Sequence, residues 1–299
     1  MSLRKSVAIG AVALVGFGVG VIYYLHARAG QPAPEVVSAE PSEFHAAAPE
    51  EKSETMVAAK TSVPAEAKKA VPAAPPVDTG LPLKAGEMLE YTANVAKLSN
   101  VATLSVKVVG RGNFAGKSAW HLQATAHTQN PLRMVFELDD QFDSYSDAGT
   151  LASMQYEMRL SERGQKVESL QRMTASDKEP APADASAARV LPGTRDPLGM
   201  MEYLRNVDWS KTAEVRGPVY DGHKLYDVRA KLAATSEAVE VAAGNYTTSK
   251  IGIRVLEDGV EMKDAAFTLY LANNAARTPV LLEAVMPFAT ARVELVKTK

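Results

Sequence analysis

The stretch 88–108, MLEYTANVAKLSNVATLSVKV, decides the fold, because its apolar side chains recur at every second residue. The alternating apolar residues are Leu89, Tyr91, Ala93 and Val95 in the first half and Ala102, Leu104, Val106 and Val108 in the second. A period of two is typical of half-buried β-strands. Ser99-Asn100 lies between the halves and predicts a turn. The stretch therefore predicts a β-hairpin.

The same period continues along the chain. Trp120, Leu122, Ala124 and Ala126 alternate with polar residues, and Asp258-Gly259 is a strong hairpin signal. Further strand-like segments lie at 132–138, 154–160, 167–173, 225–232, 238–241, 246–256, 262–271, 280–285 and 289–296. Residues 176–194, rich in Ala, Pro and Asp, predict a long loop. The fold class is therefore all-β, an antiparallel and closed or nearly closed barrel-like domain, since closure removes exposed edges.

One segment, DPLGMMEYLRNVDW at 196–209, has a helical pattern instead. Asp196 suits the N-cap and Pro197 the first helical position. Apolar side chains cover most of the circumference, and Gly199, Glu202 and Asn206 leave a narrow polar stripe. So wide an apolar face predicts one accessory helix near 197–207, packed into the concave side of the sheet or across its open end.

The N-terminal run SVAIGAVALVGFGVGVIYYL begins at Ser6 and ends at Leu25 without a charged residue. At about 1.5 Å of rise per residue it would span roughly 30 Å as a helix, the thickness of a bilayer's hydrocarbon core. Arg4 and Lys5 precede it, and the positive-inside rule keeps them cytoplasmic. We therefore expect a single-pass anchor in a bacterial inner membrane, with the C-terminal domain in the periplasm.

This leading segment leaves alternatives open. Small residues around Ala29 suit a signal-peptide cleavage site, which would release the protein into the periplasm. Gly16 and Gly20 form a G-x-x-x-G that would allow a weak dimer of such helices. Residues 30–80, rich in Pro and Ala, cannot bury enough apolar surface to fold and predict a disordered tether. The predicted organisation is an anchor at 1–29, a tether at 30–80 and a β domain at 81–299.

Composition excludes several classes of protein. Lys and Arg number 33 and Asp and Glu 35, so the formal net charge of −2 gives no electrostatic basis for nucleic-acid binding. The chain has no cysteine, which excludes disulfides, a thiolate nucleophile and a lipid-bearing Cys.

The residue pattern offers no reaction. His121 and His127 are six residues apart on one predicted strand, about 20 Å and too far to share a metal, so they are expected at the surface. The acidic residues Asp139, Asp140, Asp143 and Asp147 lack the spacing of a calcium loop and predict a solvated strand edge. No G-x-S-x-G or S-x-x-K motif is present. We therefore expect no catalytic residue, no metal site, no cofactor and no enzymatic activity.

The order of several motifs resembles a family of exported or periplasmic bacterial proteins catalogued as a domain of unknown function. The motifs span residues 86–295 and read GEMLEYTANV, DSYSDAGTLASMQYEMRLSERG, DPLGMMEYLRNVDW, GNYTTSKIGIRV and LYLANNAARTPVLLEAVMPFATARVEL. In that family Ser is commoner where Gly199 stands here. The resemblance implies a β-rich, barrel-like envelope domain and supplies no catalytic residues.

Two functions remain from the sequence. The first is binding or sensing of an apolar, lipid-like ligand inside the barrel, because small inward residues would leave room there; these residues are Ala93, Ala124, Ala126, Ala230 and Ala291. The candidate ligand-binding residues, from the barrel lining and a helical lid, are Trp120, Leu122, Ala124, Leu198, Met201 and Tyr203. The alternative is a structural or interaction module that binds envelope proteins and bridges two layers through its tether.

Overall fold

A computed structural model describes residues 45–46, 82–134, 136–162, 164–176, 181–184, 187–285 and 290–299. The predicted anchor, the Gly16 and Gly20 motif, the cleavage point near Ala29 and nearly all of the tether lie outside these residues. None of the helices in the described ranges is both long enough and apolar enough to cross a membrane.

Strands dominate the described residues, which also contain one α-helix, α1, at Pro197–Asn206. The first strands are β1 (His45–Ala46), β2 (Met88–Val95), β3 (Leu98–Phe114), β4 (Lys117–Thr128), β5 (Asp139–Asp147), β6 (Ser153–Glu162), β7 (Gln165–Ala175), β8 (Ala181–Asp184) and β9 (Ala187–Val190). After the helix come β10 (Glu214–Tyr220), β11 (Leu225–Val241), β12 (Gly244–Glu257), β13 (Val260–Ala272), β14 (Pro279–Val285) and β15 (Thr290–Thr298).

All of these strands belong to one sheet that curls into a nearly closed barrel. Their order is β10-β11-β12-β13-β14-β15-β2-β3-β4-β5-β6-β7-β9-β8, with β1 paired to β3. Pairing is antiparallel except between β7 and β9. The segment before α1 closes much of the gap, because Ser153 N on β6 donates to Thr194 O and Tyr220 N on β10 donates to Arg195 O. The predicted all-β, barrel-like fold with one helix is confirmed.

The first hairpin forms, but its turn differs from the prediction. Val95 pairs with Leu98, so Ala96 and Lys97 make the turn. Asn100 instead lies in β3 near a register shift, with a φ of 52°, and its backbone N donates to Asn94 Oδ1. Asparagine tolerates this left-handed conformation in a bulge as well as in a turn, which explains the wrong prediction.

Two other segments differ from expectation. The described residues within 132–138 form no strand; they contain a 3₁₀ turn at Leu132–Met134 and a bridge from Leu138 to Glu162. The predicted loop at 176–194 contains β8 and β9, and β9 runs parallel to β7. Short edge strands of Ala, Asp and Arg carry too little apolar pattern to be recognised from sequence.

The barrel interior is filled by inward side chains and by α1. Inward residues of every strand from β2 to β7 and from β9 to β15 belong to one buried apolar cluster, which also contains Leu198, Met200, Met201 and Leu204 of the helix. The helix lies close to β4, β5 and β10. The accessory helix is therefore part of the core.

Candidate ligand-binding site

The N-terminus of α1 is fixed by its cap. Asp196 is fully buried; its Oδ1 accepts from Gly199 N, and its Oδ2 accepts 2.5 Å hydrogen bonds from Ser144 and Ser153 of β5 and β6. Burial raises the pKa of Asp196, while these hydrogen bonds act in the opposite direction. The cap joins the helix to the sheet as well as satisfying a helical N–H.

The C-terminal end of α1 is held by a buried guanidinium. Arg205 donates to both carboxylate oxygens of Glu87 at 2.8 Å and to Ala276 O at 2.7 Å. It lies 3.4 Å from Glu202, and burial raises the pKa of that carboxyl. Arg277 donates to Asn206 O and Val207 O beyond it. Gly199 and Glu202 were predicted to lie on a polar stripe of the helix, but both are buried and contact the groups that hold its two ends.

A cavity lies on the side of α1 that faces β10 to β14; we call it the α1 cavity. Its lining is apolar except for Asp221 and Tyr226, and consists of Pro197, Met200, Met201, Leu204, Val219, Asp221, Tyr226, Val228, Ile253, Val255, Phe267, Leu269 and Leu282. The centre of a water molecule can move through about 70 Å³ of it. A cavity needs at least about 10–15 Å³ of such space to hold one water molecule, so this one is several times above that minimum.

Two polar side chains converge on this apolar space. Tyr226 on β11 is 2% exposed, and its hydroxyl has no hydrogen-bond partner within the described part of the chain. Asp221, at the end of β10, accepts backbone hydrogen bonds from His223 and Lys224 through Oδ1. Burial, and then the negative charges of Asp221 and Glu257, raise the pKa of Tyr226. The hydroxyl therefore remains protonated and can donate.

The predicted site residues are divided by the structure. Met201 lines the α1 cavity. The others belong to the core without lining this cavity; they are Trp120, Leu122 and Ala124 on β4, Leu198 on α1 and the half-buried Tyr203. The guanidinium carbon of Arg195 lies 3.7 Å from the centroid of the Tyr203 ring. The small residues Ala93, Ala126, Ala230 and Ala291 are buried but also lie outside the lining.

Most of the residues that line the α1 cavity were not predicted from the sequence. Val228, Ile253 and Phe267 stand at inward positions of alternating strands, as the pattern predicts. Inward residues of every strand share that pattern, however, and only the position of α1 decides which of them border a cavity. No sequence signal distinguished Tyr226 from the other inward aromatic residues.

The predicted solvated strand edge on β5 is in part a buried polar network, because Asp140 and Asp143 are buried whereas Asp139 and Asp147 are half-buried. Asp143 is 3% exposed and accepts from Gln123, Gln141 and Arg159, and it forms a 2.8 Å hydrogen bond with His121. His121 was expected at the surface but is mostly buried and stacks on Tyr145. Neighbouring polar side chains on adjacent strands cover one another, which a single strand's pattern does not show. Across the described ranges, no cluster of His, Asp or Glu has the arrangement of a metal site.

The fold and cavity define a barrel-like β domain with an internal helix. The chain belongs to the family described as "Protein of unknown function (DUF3108)", which matches residues 90–296. This confirms the predicted resemblance. No curated protein matches the chain.

A solved structure has a similar fold. The chain is similar to a β-barrel-like protein of the domain of unknown function DUF1849 from Brucella abortus, with 12% identity, a TM-score of 0.50, and 72% of this chain and 97% of that chain covered. A second similar structure is a protein described as a lipoprotein from Parabacteroides distasonis. The sequence identity is 13% and the TM-score 0.36, and the match covers 74% of this chain and 98% of that chain. A third is a protein from Bacteroides fragilis described as exported and with a YmcC-like fold. The sequence identity is 10% and the TM-score 0.32, and the match covers 73% of this chain and 98% of that chain.

Proposed function

We propose that the chain is a non-catalytic protein of the bacterial cell envelope whose barrel-like domain binds a small apolar ligand in the α1 cavity. The observation that carries the proposal is the cavity itself, an apolar space between a fixed helix and β10 to β14 with a few polar atoms at its margin. Ligand sites commonly combine a mostly apolar lining with a small number of polar groups. The envelope location rests on the anchor predicted from residues 6–25.

The flexible lining adds support. Met200 and Met201 come from α1 and face the cavity. Methionine is unbranched and polarizable, so it adapts to ligands of different shape. These two side chains can enlarge the space by changing rotamer, so that a ligand longer than the present cavity is accommodated.

The experiment uses methionine methyl NMR on the purified protein titrated with 1-octanol. We expect the methyl signals of Met200 and Met201 to shift saturably. The signal of Met134, which is 82% exposed, should stay fixed and serves as the internal control. Native mass spectrometry of the freshly purified protein should also show a co-purified apolar molecule.

A matched pair of variants locates the binding. Val228→Phe fills the cavity, whereas Val239→Phe enlarges a buried side chain on the same strand outside the lining. Val239→Phe overpacks the interior and should cost about 1–3 kcal/mol of stability, whereas Val228→Phe enters existing space and should cost less. Only Val228→Phe should abolish the octanol shifts. Equal loss of binding in both variants, or no saturable shift in the wild type, would overturn the proposal.

A further inference from the structure

The unpartnered hydroxyl of Tyr226 indicates what kind of polar group the ligand carries. The residue is 2% exposed and lines the α1 cavity, and its oxygen has no partner within the described ranges. A buried polar group without a hydrogen bond typically costs about 1–3 kcal/mol. A ligand that supplies a hydrogen-bonding group at this position would recover that free energy.

The charge around the hydroxyl restricts that group further. Asp221 lines the cavity, and its negative charge acts on Tyr226. A second carboxylate placed beside Asp221 would be repelled, and burial would add to the cost. A group that donates a hydrogen bond would find acceptors in the Tyr226 and Asp221 oxygens.

Nearby cations do not reverse this preference. None of the residues that line the α1 cavity is basic. Lys224 forms an ion pair with Glu257. Arg195 lies near Met200 on the inner side of β10, but its guanidinium stacks on Tyr203 and donates to Gly193 O and Thr150 O. Neither Lys224 nor Arg195 is among the lining residues, and the charged residue of the lining is Asp221.

From these contacts we infer that the α1 cavity selects an apolar molecule whose polar group is a hydrogen-bond donor without negative charge, a hydroxyl or an amine, and discriminates against carboxylates. This inference rests on the proposed function, since it concerns the same cavity. Tyr226 accepts from or donates to the ligand head, Asp221 accepts from it, and the methionines and branched side chains contact the alkyl chain.

The test compares three ligands with the same alkyl chain at neutral pH, namely 1-octanol, octylamine and octanoate. Dissociation constants come from the Met200 and Met201 methyl shifts, and benzene serves as a purely apolar control. Octanol or octylamine should bind at least about tenfold more tightly than octanoate. Tighter binding of octylamine than of octanol assigns the site to amines, and the reverse order assigns it to hydroxyl compounds.

Two conservative variants attribute the selectivity. Tyr226→Phe removes only the hydroxyl and should weaken the preferred ligand about five- to tenfold while leaving benzene unchanged. Since that hydroxyl has no partner among the described residues, the variant should melt at or above the wild-type temperature. Asp221→Asn keeps the Oδ1 acceptor of the turn, and it should tighten octanoate binding at least about threefold.

The outcomes separate the two proposals. If benzene and octanol bind but octanoate binds equally tightly, or if Tyr226→Phe leaves octanol affinity unchanged, the inference about the head group is wrong and the binding function stands. If no probe, including benzene, shifts Met200 and Met201, both are wrong.

Discussion

Glu87 and Glu202 both lie beside the buried Arg205 guanidinium, but we expect their replacement by glutamine to change stability by very different amounts. Glu87 accepts two 2.8 Å hydrogen bonds from Arg205. Glu202 reaches it only at 3.4 Å, and its Oε1 has no partner within the described residues. Glu87 therefore accepts both of the short carboxylate hydrogen bonds of a guanidinium that is 0% exposed.

The magnitudes follow from these contacts. Removing one partner of a buried ion pair typically costs about 3–5 kcal/mol. Glu87→Gln keeps one acceptor oxygen but turns an amide N–H₂ towards a donor, so we expect a loss of about 2–4 kcal/mol. Glu202→Gln removes a carboxylate whose pKa burial raises in spite of the opposing charge of Arg205, and it should change stability by less than about 1 kcal/mol at neutral pH.

The raised pKa of Glu202 determines how the stability difference between Glu202→Gln and wild type changes with pH. A carboxyl whose folded pKa is raised contributes stability at low pH that is lost as the pH rises through the folded pKa. Glutamine cannot ionise, so Glu202→Gln should become more stable relative to wild type as the pH rises above 4.5, the ordinary pKa of this group. Urea unfolding of the purified proteins between pH 4 and 8 measures both effects. Equal destabilisation by the two variants, or a relative stability of Glu202→Gln that falls with rising pH, would refute the reasoning.

Three further predictions concern the helix and the β5 network. Gly199→Ala should lower stability by about 1 kcal/mol in thermal melts despite alanine's better helix propensity, because its Cβ would lie 3.1 Å from the Ser146 and Ser153 hydroxyls; a raised melting temperature would contradict this. Burial alone would raise the pKa of Asp143, but the hydrogen bonds it accepts lower it to about 2, so its stabilising contribution is present above its ordinary pKa of 3.8 and lost as the pH falls towards 2. Asp143→Asn should therefore be destabilised at pH 7 in urea unfolding and differ less from wild type at pH 2, and an unchanged difference would count against the network. Amide hydrogens of α1 should exchange as slowly as those of β4 with and without octanol, whereas faster exchange throughout the helix would argue against anchoring at both ends.

The sequence contains enough information for the fold class because each strand carries its own signal. Alternation along β2, β3 and β4 depends only on which face of a strand is buried, and Asp196-Pro197 marks the start of α1 locally. Each of these patterns lies within about ten residues, so it can be recognised without knowing which strands pair with one another. The wide apolar face of the helix predicts that it packs against the concave side of the sheet or across its open end, and the structure places its apolar side chains in the core.

The details that sequence could not give depend on residues far apart in the chain. Arg205 and Glu87 are separated by 118 positions, and Asp196 and Ser144 by 52. A charged residue on an otherwise apolar helix looks like a solvent-facing stripe until its distant partner is known. The same holds for Asp143, which was expected in solvent and is covered by polar side chains of two neighbouring strands.

The two ends of α1 explain why the cavity lies where it does. Ser144 and Ser153 draw Asp196 towards β5 and β6, and Leu122 and Ala124 of the adjacent β4 face the same interior. Small inward residues on that side let the helix approach the sheet closely. The helix therefore occupies the space beside them instead of leaving it open. The strands on the opposite side, β11 to β13, are then too far from the helix for Val228, Ile253 and Phe267 to close the gap. A helix fastened at both ends acts as a fixed wall of this cavity, so ligand selectivity resides in the side chains that face it.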